Sequence, residues 1–387
     1  MKSYSDEDVY GRLGVRKIIN AVGCMTRLGG SRLAPEVTAA MNQAAASFID
    51  LDELLARSGA YVAGLIGVEA AYITSGASAG LVLATAACVA GDNPARIARL
   101  PDTRGLSNKV AVHRSHRNGF DQAVRQVGVE FVEFGYVNET CPWQLDAALD
   151  DQTAAVLYVV NASYRGTSLP IEEVVEIAHS HGVPVIVDAA SDLPPVSNLH
   201  RFNDLGADLV VFSGGKDIEG PQSSGLILGQ HDLIRKCALN ANPNYGIGRP
   251  MKVCKEEIVG LVVALERYLA QDREAEDARW EGVVAYWVET LGTLPGVQAW
   301  RVCPVLVPPG LSPITIPRAY VRWDANLIDV TIDEVVRELY EGNPRVAVDV
   351  DRARNALVLM GEVLTPGEEQ IVAERIRGLL TAHGFPS

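Results

Sequence analysis

With 387 residues, 48% hydrophobic, 21% charged and 35 glycines, the chain has the composition of a folded α/β protein rather than a disordered or fibrous one, and its length favours two domains. A formal net charge of −14 argues against a protein whose main task is to grip nucleic acid, because phosphate neutralisation needs a basic footprint. Six scattered cysteines without a CxxC or Cys/His cluster speak against a disulfide framework and a metal site, and the polar, acidic N-terminus is not a signal peptide; a cytoplasmic setting is expected.

In chain order, Lys17–Val22 reads as a short strand, followed by a loop carrying Arg27, Gly29, Gly30 and Arg32. Pro35 opens an Ala-rich helix, and Asp52–Ile66 forms a second one with Leu54, Leu55, Tyr61, Val62 and Leu65 on one face. Ala70–Thr74 is a strand that turns through Ser75-Gly76-Ala77-Ser78 into an apolar helix, Ala79–Ala90. The whole stretch 70–91 lacks charge, yet its Ser and Gly content and its missing basic flanks fit a buried strand, loop and helix better than a membrane span.

From Lys109 onward the pattern alternates regularly. Strands are expected at Val110–Val112, Val129–Phe134, Ala154–Val160, Val183–Val187 and Leu209–Phe212, with helices at Gly119–Val127, Trp143–Leu149 and Ile171–His181 between them. Continuous Val/Ile/Leu runs separated by helices predict a mostly parallel sheet covered on both faces. A long helical region, Glu256–Leu291, leads into a proline-punctuated part with short strands such as Ala319–Trp323 and Ala356–Met360, and a last helix, Pro366–His383, capped by Thr365. The expected division is an N-terminal arm and helix (1–50), a large cofactor-binding α/β domain (51–255), and a linking helix with a smaller α+β C-terminal domain (256–387).

Three groups fall at successive strand ends. Ser75, Gly76 and Ala77 sit where a helix begins, a place that offers unpaired N–H groups to an anion. Asp188 directly follows the apolar strand Val183–Val187, and Lys216 follows Leu209–Phe212 through Ser213-Gly214-Gly215. Taken singly, each has an ordinary structural reading: a helix cap, a strand-ending acid, a lysine in a surface turn. Together they are the three parts that pyridoxal 5′-phosphate requires, an anion cup for the phosphate, a carboxylate for the pyridine nitrogen, and an amine for a Schiff base. His113 and His116 end another strand; His116, deeper in the loop, is the candidate to stack on the pyridine ring, and Ser213 is a candidate phosphate donor. Arg27, Arg165 and Arg318, with Arg32 and Arg249, are candidates for a substrate carboxylate or phosphate, because arginine pairs with both in bidentate fashion.

The segment FSGGKDIEGPQSSGLILG resembles the lysine segment of the selenocysteine synthase (seryl-tRNA selenium transferase) family, matching at Phe212, Ser213, Gly214, Lys216, Gly220, Pro221 and Gln222. Similarity extends through Asn20-Ala-x-Gly23, Tyr164-Arg165, 182–188 and the Arg249–Leu265 region, which covers most of the first 270 residues. Within the family the likeness is closer to the D-glucosaminate-6-phosphate ammonia lyase type. The resemblance implies a fold type I pyridoxal phosphate enzyme with a seven-stranded sheet, and a homodimer or higher homo-oligomer with active sites at the subunit interface. It further implies a small-molecule amino substrate. Only about twenty residues precede Asn20, where the tRNA-using enzymes carry a sizeable tRNA-binding domain, so the tRNA reaction is disfavoured. The expected activity is α,β-elimination from a small amino acid or amino sugar acid, with Lys216 and Asp188 as catalytic residues. Racemisation or transamination uses the same residues, and a non-enzymatic binding module is the alternative outside catalysis.

Overall fold

The computed structural model describes residues 8–160, 167–303 and 316–384. Its strands, in chain order, are β1 (Ile18–Ala21), β2 (Ala70–Thr74), β3 (Lys109–His113), β4 (Glu130–Phe134), β5 (Thr153–Val159), β6 (Val185–Asp188), β7 (Leu209–Ser213), β8 (Gly225–Gly229), β9 (Val297–Val302), β10 (Arg318–Trp323), β11 (Arg345–Asp351) and β12 (Ala356–Met360). The described residues fall into two compact units, 29–160 with 167–271, and 8–28 with 272–303 and 316–384.

The larger unit is built on a seven-stranded sheet of order β2-β8-β7-β6-β5-β3-β4. Neighbours from β7 to β4 are parallel, while β8 is antiparallel to both β7 and β2. Six strands therefore share one direction. β2, β5, β6 and β8 are buried at every residue, which is why they read as unbroken apolar runs instead of alternating ones. The helix Ala77–Ala90 lies within this core, with Leu81, Val82, Leu83, Ala84, Ala86 and Ala87 all inside it. At 14 residues it spans about 21 Å, well short of a bilayer core of about 30 Å. No helix among the described residues is long and apolar enough to cross a membrane.

The smaller unit carries a five-stranded sheet, β1-β11-β12-β10-β9, with β1 parallel to β11 and the other pairs antiparallel. Its core gathers Val284, Trp287 and Leu291 of the helix Arg273–Gly292 against Val321, Leu357 and Leu359. Trp287 is fully buried and still satisfied, its indole N–H donating to the Glu369 carbonyl at 2.9 Å.

This division differs from the expected 1–50, 51–255 and 256–387. Residues Ile18–Ala21 pair with Arg345–Val348, so the N-terminal strand belongs to the smaller unit. The region expected as one helix from Glu256 to Leu291 is two, Lys255–Ala270 and Arg273–Gly292, and the first belongs to the larger unit. The break is chemical: Gln271 turns extended, and the Asp272 carboxylate accepts from the Ala275 N–H to start a new helix. The final helix begins at Glu368 behind Gly367 at φ 93°, not behind Thr365.

Candidate active site

Because six strands run in parallel, their carboxyl ends line one edge of the sheet, with the start of β8 among them. The chain leaves β3 for β4 at one flank and returns to β5 on the other side of β3, so the order reverses there. Ligands of open α/β sheets sit at such edges and reversals.

Asp188 is the last residue of β6 and lies beside Val211 of β7. It is buried, and burial pushes its carboxyl above the ordinary value; the Ala190 N–H, donating at 3.1 Å, and the charge of Lys216 pull the other way. Asp188 and Lys216 thus share one electrostatic neighbourhood. Lys216 is half-buried, three residues past the end of β7, in a loop tied across itself. Gly214 N–H donates to Ser224, Gly220 N–H to Gly214 and Glu219 N–H to Lys216, each at 2.8 Å. The loop is closely packed: a Cβ on Gly214 would lie 2.2 Å from Ser224 Oγ, and one on Gly215 would lie 2.6 Å from Gln222 Cα.

At the end of β2, Gly76 caps the helix at φ 117°, and the first internal bond of the helix runs from Gly80 N–H to Gly76 O at 3.0 Å. The N–H groups of Ala77, Ser78 and Ala79 therefore have no carbonyl within the helix. Ser75 Oγ donates to the Met251 carbonyl at 3.2 Å, and no side chain caps the helix, whose start has glycine at its lip. Sheet register links it to the lysine loop: Gly225 pairs with Thr74 on one side and with Ser213 on the other.

His113 and His116 are both buried, so neither is the solvated loop histidine of the ordinary reading. Burial pushes His116 down to about 3 and His113 down to about 2. His116 Nδ1 accepts from the Val159 N–H at 3.2 Å, which puts the proton of the neutral ring on Nε2. His113 Nε2 accepts from the Leu169 N–H at 3.1 Å. The two rings lie 4.4 Å apart, and the His116 ring stands edge-on to Tyr158 at 4.8 Å.

Arg165 lies outside the described residues, as does Tyr164. Arg27 is exposed and belongs to the smaller unit, as does Arg318, whose Nε is buried without a hydrogen-bond partner. Arg249 is placed in the larger unit, donating to Asn242 Oδ1 at 3.0 Å. The larger unit thus brings Ser75, Gly76, Ala77, Asp188, Ser213, Lys216 and His116 to one sheet edge, and Arg27 and Arg318 are not part of that unit.

Three features of this edge were not legible beforehand. Gly225 precedes an apolar run and carries no sequence signal of its own. Asp192, four residues after Asp188, accepts from the fully buried Asn198 through both its carbonyl (2.7 Å) and its carboxylate (2.8 Å), and burial pushes it up to about 7. Ser31, far away in sequence, donates its N–H to the Gly215 carbonyl at 3.2 Å.

Known proteins resemble this chain in sequence and in fold. The chain is 40% identical over 266 residues to D-glucosaminate-6-phosphate ammonia lyase of Salmonella typhimurium (strain 14028s / SGSC 2262), covering 67% of this chain and 70% of that one. It is 33% identical over 383 residues to 5′-C-glycyluridine monooxygenase-decarboxylase of Streptomyces sp, covering 97% and 92%. A solved structure of D-glucosaminate-6-phosphate ammonia-lyase superimposes with a TM-score of 0.84 at 32% identity, over 98% of this chain and 99% of that one. Serine palmitoyltransferase from S. paucimobilis, at 15% identity and a TM-score of 0.58, shares the fold. L-Seryl-tRNA(Sec) selenium transferase of Alkaliphilus metalliredigens (strain QYMF) is 28% identical, and the chain spans 57% of its length. The family model described as SelA, L-seryl-tRNA selenium transferase, matches residues 18–280, more than half of the sequence, and the chain belongs to that family.

Proposed function

We propose that the protein is a pyridoxal 5′-phosphate-dependent lyase that removes the β-substituent and the amino group of a small amino acid or amino sugar acid, giving a keto acid and ammonia. The reading is carried by one observation: the buried Asp188 ends β6, the half-buried Lys216 lies just past the end of the neighbouring parallel strand β7, and the charge of Lys216 acts on Asp188, while β8 links the lysine loop to the start of the helix Ala77–Ala90.

The residues fit the group. A helix of 14 residues whose first N–H groups have no carbonyl within the helix suits a phosphate, and the glycine at its cap leaves room for close approach. Gly76, Ala77, Ser75 and Ser213 would surround the phosphate, Asp188 would face the ring nitrogen, His116 would cover the ring, and Lys216 would hold the aldehyde carbon. When bound, the cofactor spreads the electron pair that remains as the α-proton leaves. Asp188 would keep a proton on the ring nitrogen, the charge of Lys216 offsetting part of the rise that burial imposes on its carboxyl. The Lys216 amine, freed when the substrate amine takes its place, would take the proton from Cα. A neutral His116 adds no competing positive charge. Loss of the Cβ substituent and addition of water then release ammonia and the keto acid.

The 40% identity to an enzyme named for an amino sugar acid phosphate makes that substrate class the first to test. Arg27, Arg165 and Arg318 remain candidates for its anionic groups. A homodimer with sites at the subunit interface and a cytoplasmic location complete the reading. A second reading, oxygen-consuming decarboxylation, is favoured by the 33% identity that extends over nearly the whole chain. The two are told apart by incubating the purified protein with amino sugar acids, their phosphates and glycine-bearing nucleosides. Ammonia and keto acid without oxygen uptake support the lyase; carbon dioxide release with oxygen uptake would replace it.

A further inference from the structure

The loop that presents Lys216 begins with two glycines, which leave a backbone free to wander unless something outside the loop holds it. The bonds within the loop fix Gly214, Lys216 O, Glu219 and Gly220. The carbonyl of Gly215, in the peptide that leads directly into Lys216, is held from elsewhere. It accepts from the Ser31 N–H at 3.2 Å. That approach is possible because residue 30 has no side chain: a Cβ on Gly30 would lie 2.7 Å from Gly215 O and 3.4 Å from Gln222 Cγ, and the residue sits at φ 76°. Its neighbour Gly29 has a positive φ too, 97°, but nothing lies within 4 Å of a Cβ built there. Two adjacent glycines thus have the same backbone demand and opposite surroundings.

We infer that Gly30 and Ser31 form a strap that fixes the Gly215–Lys216 peptide and so aims the Lys216 amine, which makes them positioning residues for the reaction. The inference rests on Lys216 being the cofactor-bearing amine. The strap acts by pre-organisation: an amine held in one direction does not have to be ordered in each turnover, and a displacement of the order of 1 Å at a reacting group can cost about 10²-fold in rate.

The test compares Gly30→Ala with Gly29→Ala in the cofactor-loaded protein. Three quantities are read: the thermal midpoint, the pH midpoint of the visible absorption band, and kcat against KM. Both variants carry the strain of alanine at positive φ, so both lower the thermal midpoint. Gly30→Ala is expected to shift the pH midpoint of the band and to lower kcat roughly 10- to 100-fold with little change in KM. Gly29→Ala is expected to leave the band and kcat as they are. Equal behaviour of the two variants, or a Gly30→Ala protein with the unaltered band and kcat, overturns the strap. Amide hydrogen exchange in the unsubstituted protein gives a reading that needs no variant. The Ser31 amide is expected to be protected, and exchange at the rate of an open loop amide overturns the inference. Lys216→Ala separates the two claims: if it keeps the visible band, the assignment of Lys216 fails; if it loses the band while Gly30→Ala changes nothing, the strap alone fails.

Discussion

Gly225 stands against the Ala77 amide. A Cβ built on Gly225 would lie 2.9 Å from Ala77 N and 2.6 Å from the Gly76 carbonyl carbon. The first residue of β8 is therefore shaped by the start of a helix that precedes it by most of the domain, and the proposed anion cup has a wall that only glycine can supply. Gly225→Ala is expected to raise the dissociation constant for pyridoxal phosphate and to cost about 1–3 kcal/mol of stability, the usual range for overpacking. Cofactor titration and thermal unfolding check both, and unchanged affinity would remove Gly76–Ala77 from the phosphate site.

Lys216→Ala is expected to abolish the visible absorption of the cofactor-loaded protein and to lower kcat by at least about 10²-fold, the lower end of what a positioned acid–base group contributes. Spectra before and after borohydride treatment check the covalent link. A variant that keeps both the band and the turnover would overturn the assignment.

For Asp188, the substitution Asp188→Asn keeps the shape and removes the charge. Cofactor still binds, and kcat falls by about 10²–10⁴-fold, because the ring nitrogen loses the group that keeps it protonated. Turnover within a few-fold of the unsubstituted protein would show that the ring nitrogen is served elsewhere.

His116 and His113 are pushed far below the ordinary histidine value by burial, so both are expected to stay neutral from pH 5 upward. Imidazole NMR signals of these residues should not move between pH 5 and 9. The unfolded chain binds protons on them below about 6.5, so their contribution to stability is present above that pH and is lost as pH falls toward about 3. His116→Phe keeps a ring yet leaves the Val159 N–H unpaired, at a cost of about 1–3 kcal/mol.

Asp192 has the opposite sign. Burial first, and Asp217 to a lesser degree, hold its carboxyl up to about 7, with Arg201 opposing. Between the ordinary aspartate value and about 7 the folded protein keeps a proton that the unfolded chain has lost, so this contribution falls as pH rises through that window. Asp192→Asn retains an acceptor for Asn198 and is expected to flatten the loss, worth on the order of a few kcal/mol. Unfolding curves at pH 4, 5.5 and 7 check it; parallel behaviour of the two proteins would show that Asp192 does not titrate there.

Much of the larger unit was legible because a strand buried on both faces has no room for polar residues, and β2, β5, β6 and β7 appear directly as apolar runs. Asp188 and Lys216 stood out for the same reason, as charges placed at the ends of such runs. Direction was not legible. The run Leu226–Leu228 looks the same whether a strand runs up or down, and only pairing shows that β8 is inserted antiparallel between β2 and β7. Partnership over distance was not legible either: Ile18–Ala21 finds its partner in β11, near the other end of the chain. At the helix start, nothing in the sequence tells that the Ser75 hydroxyl is engaged by the Met251 carbonyl, far along the chain, and that glycine takes the cap.

The insertion of β8 has a consequence for biosynthesis. The cup at 75–77 leaves the ribosome early, and Asp188 and Lys216 follow, but β2 cannot join β7 until residues 225–229 have emerged to lie between them. Until then β2 and β7 have no direct pairing to fall back on, and the proposed seats for the phosphate and aldehyde ends of the cofactor are not joined. On the proposed assignment, cofactor capture follows completion of the sheet: a nascent chain halted before residue 225 is expected to carry Asp188 and Lys216 and remain colourless.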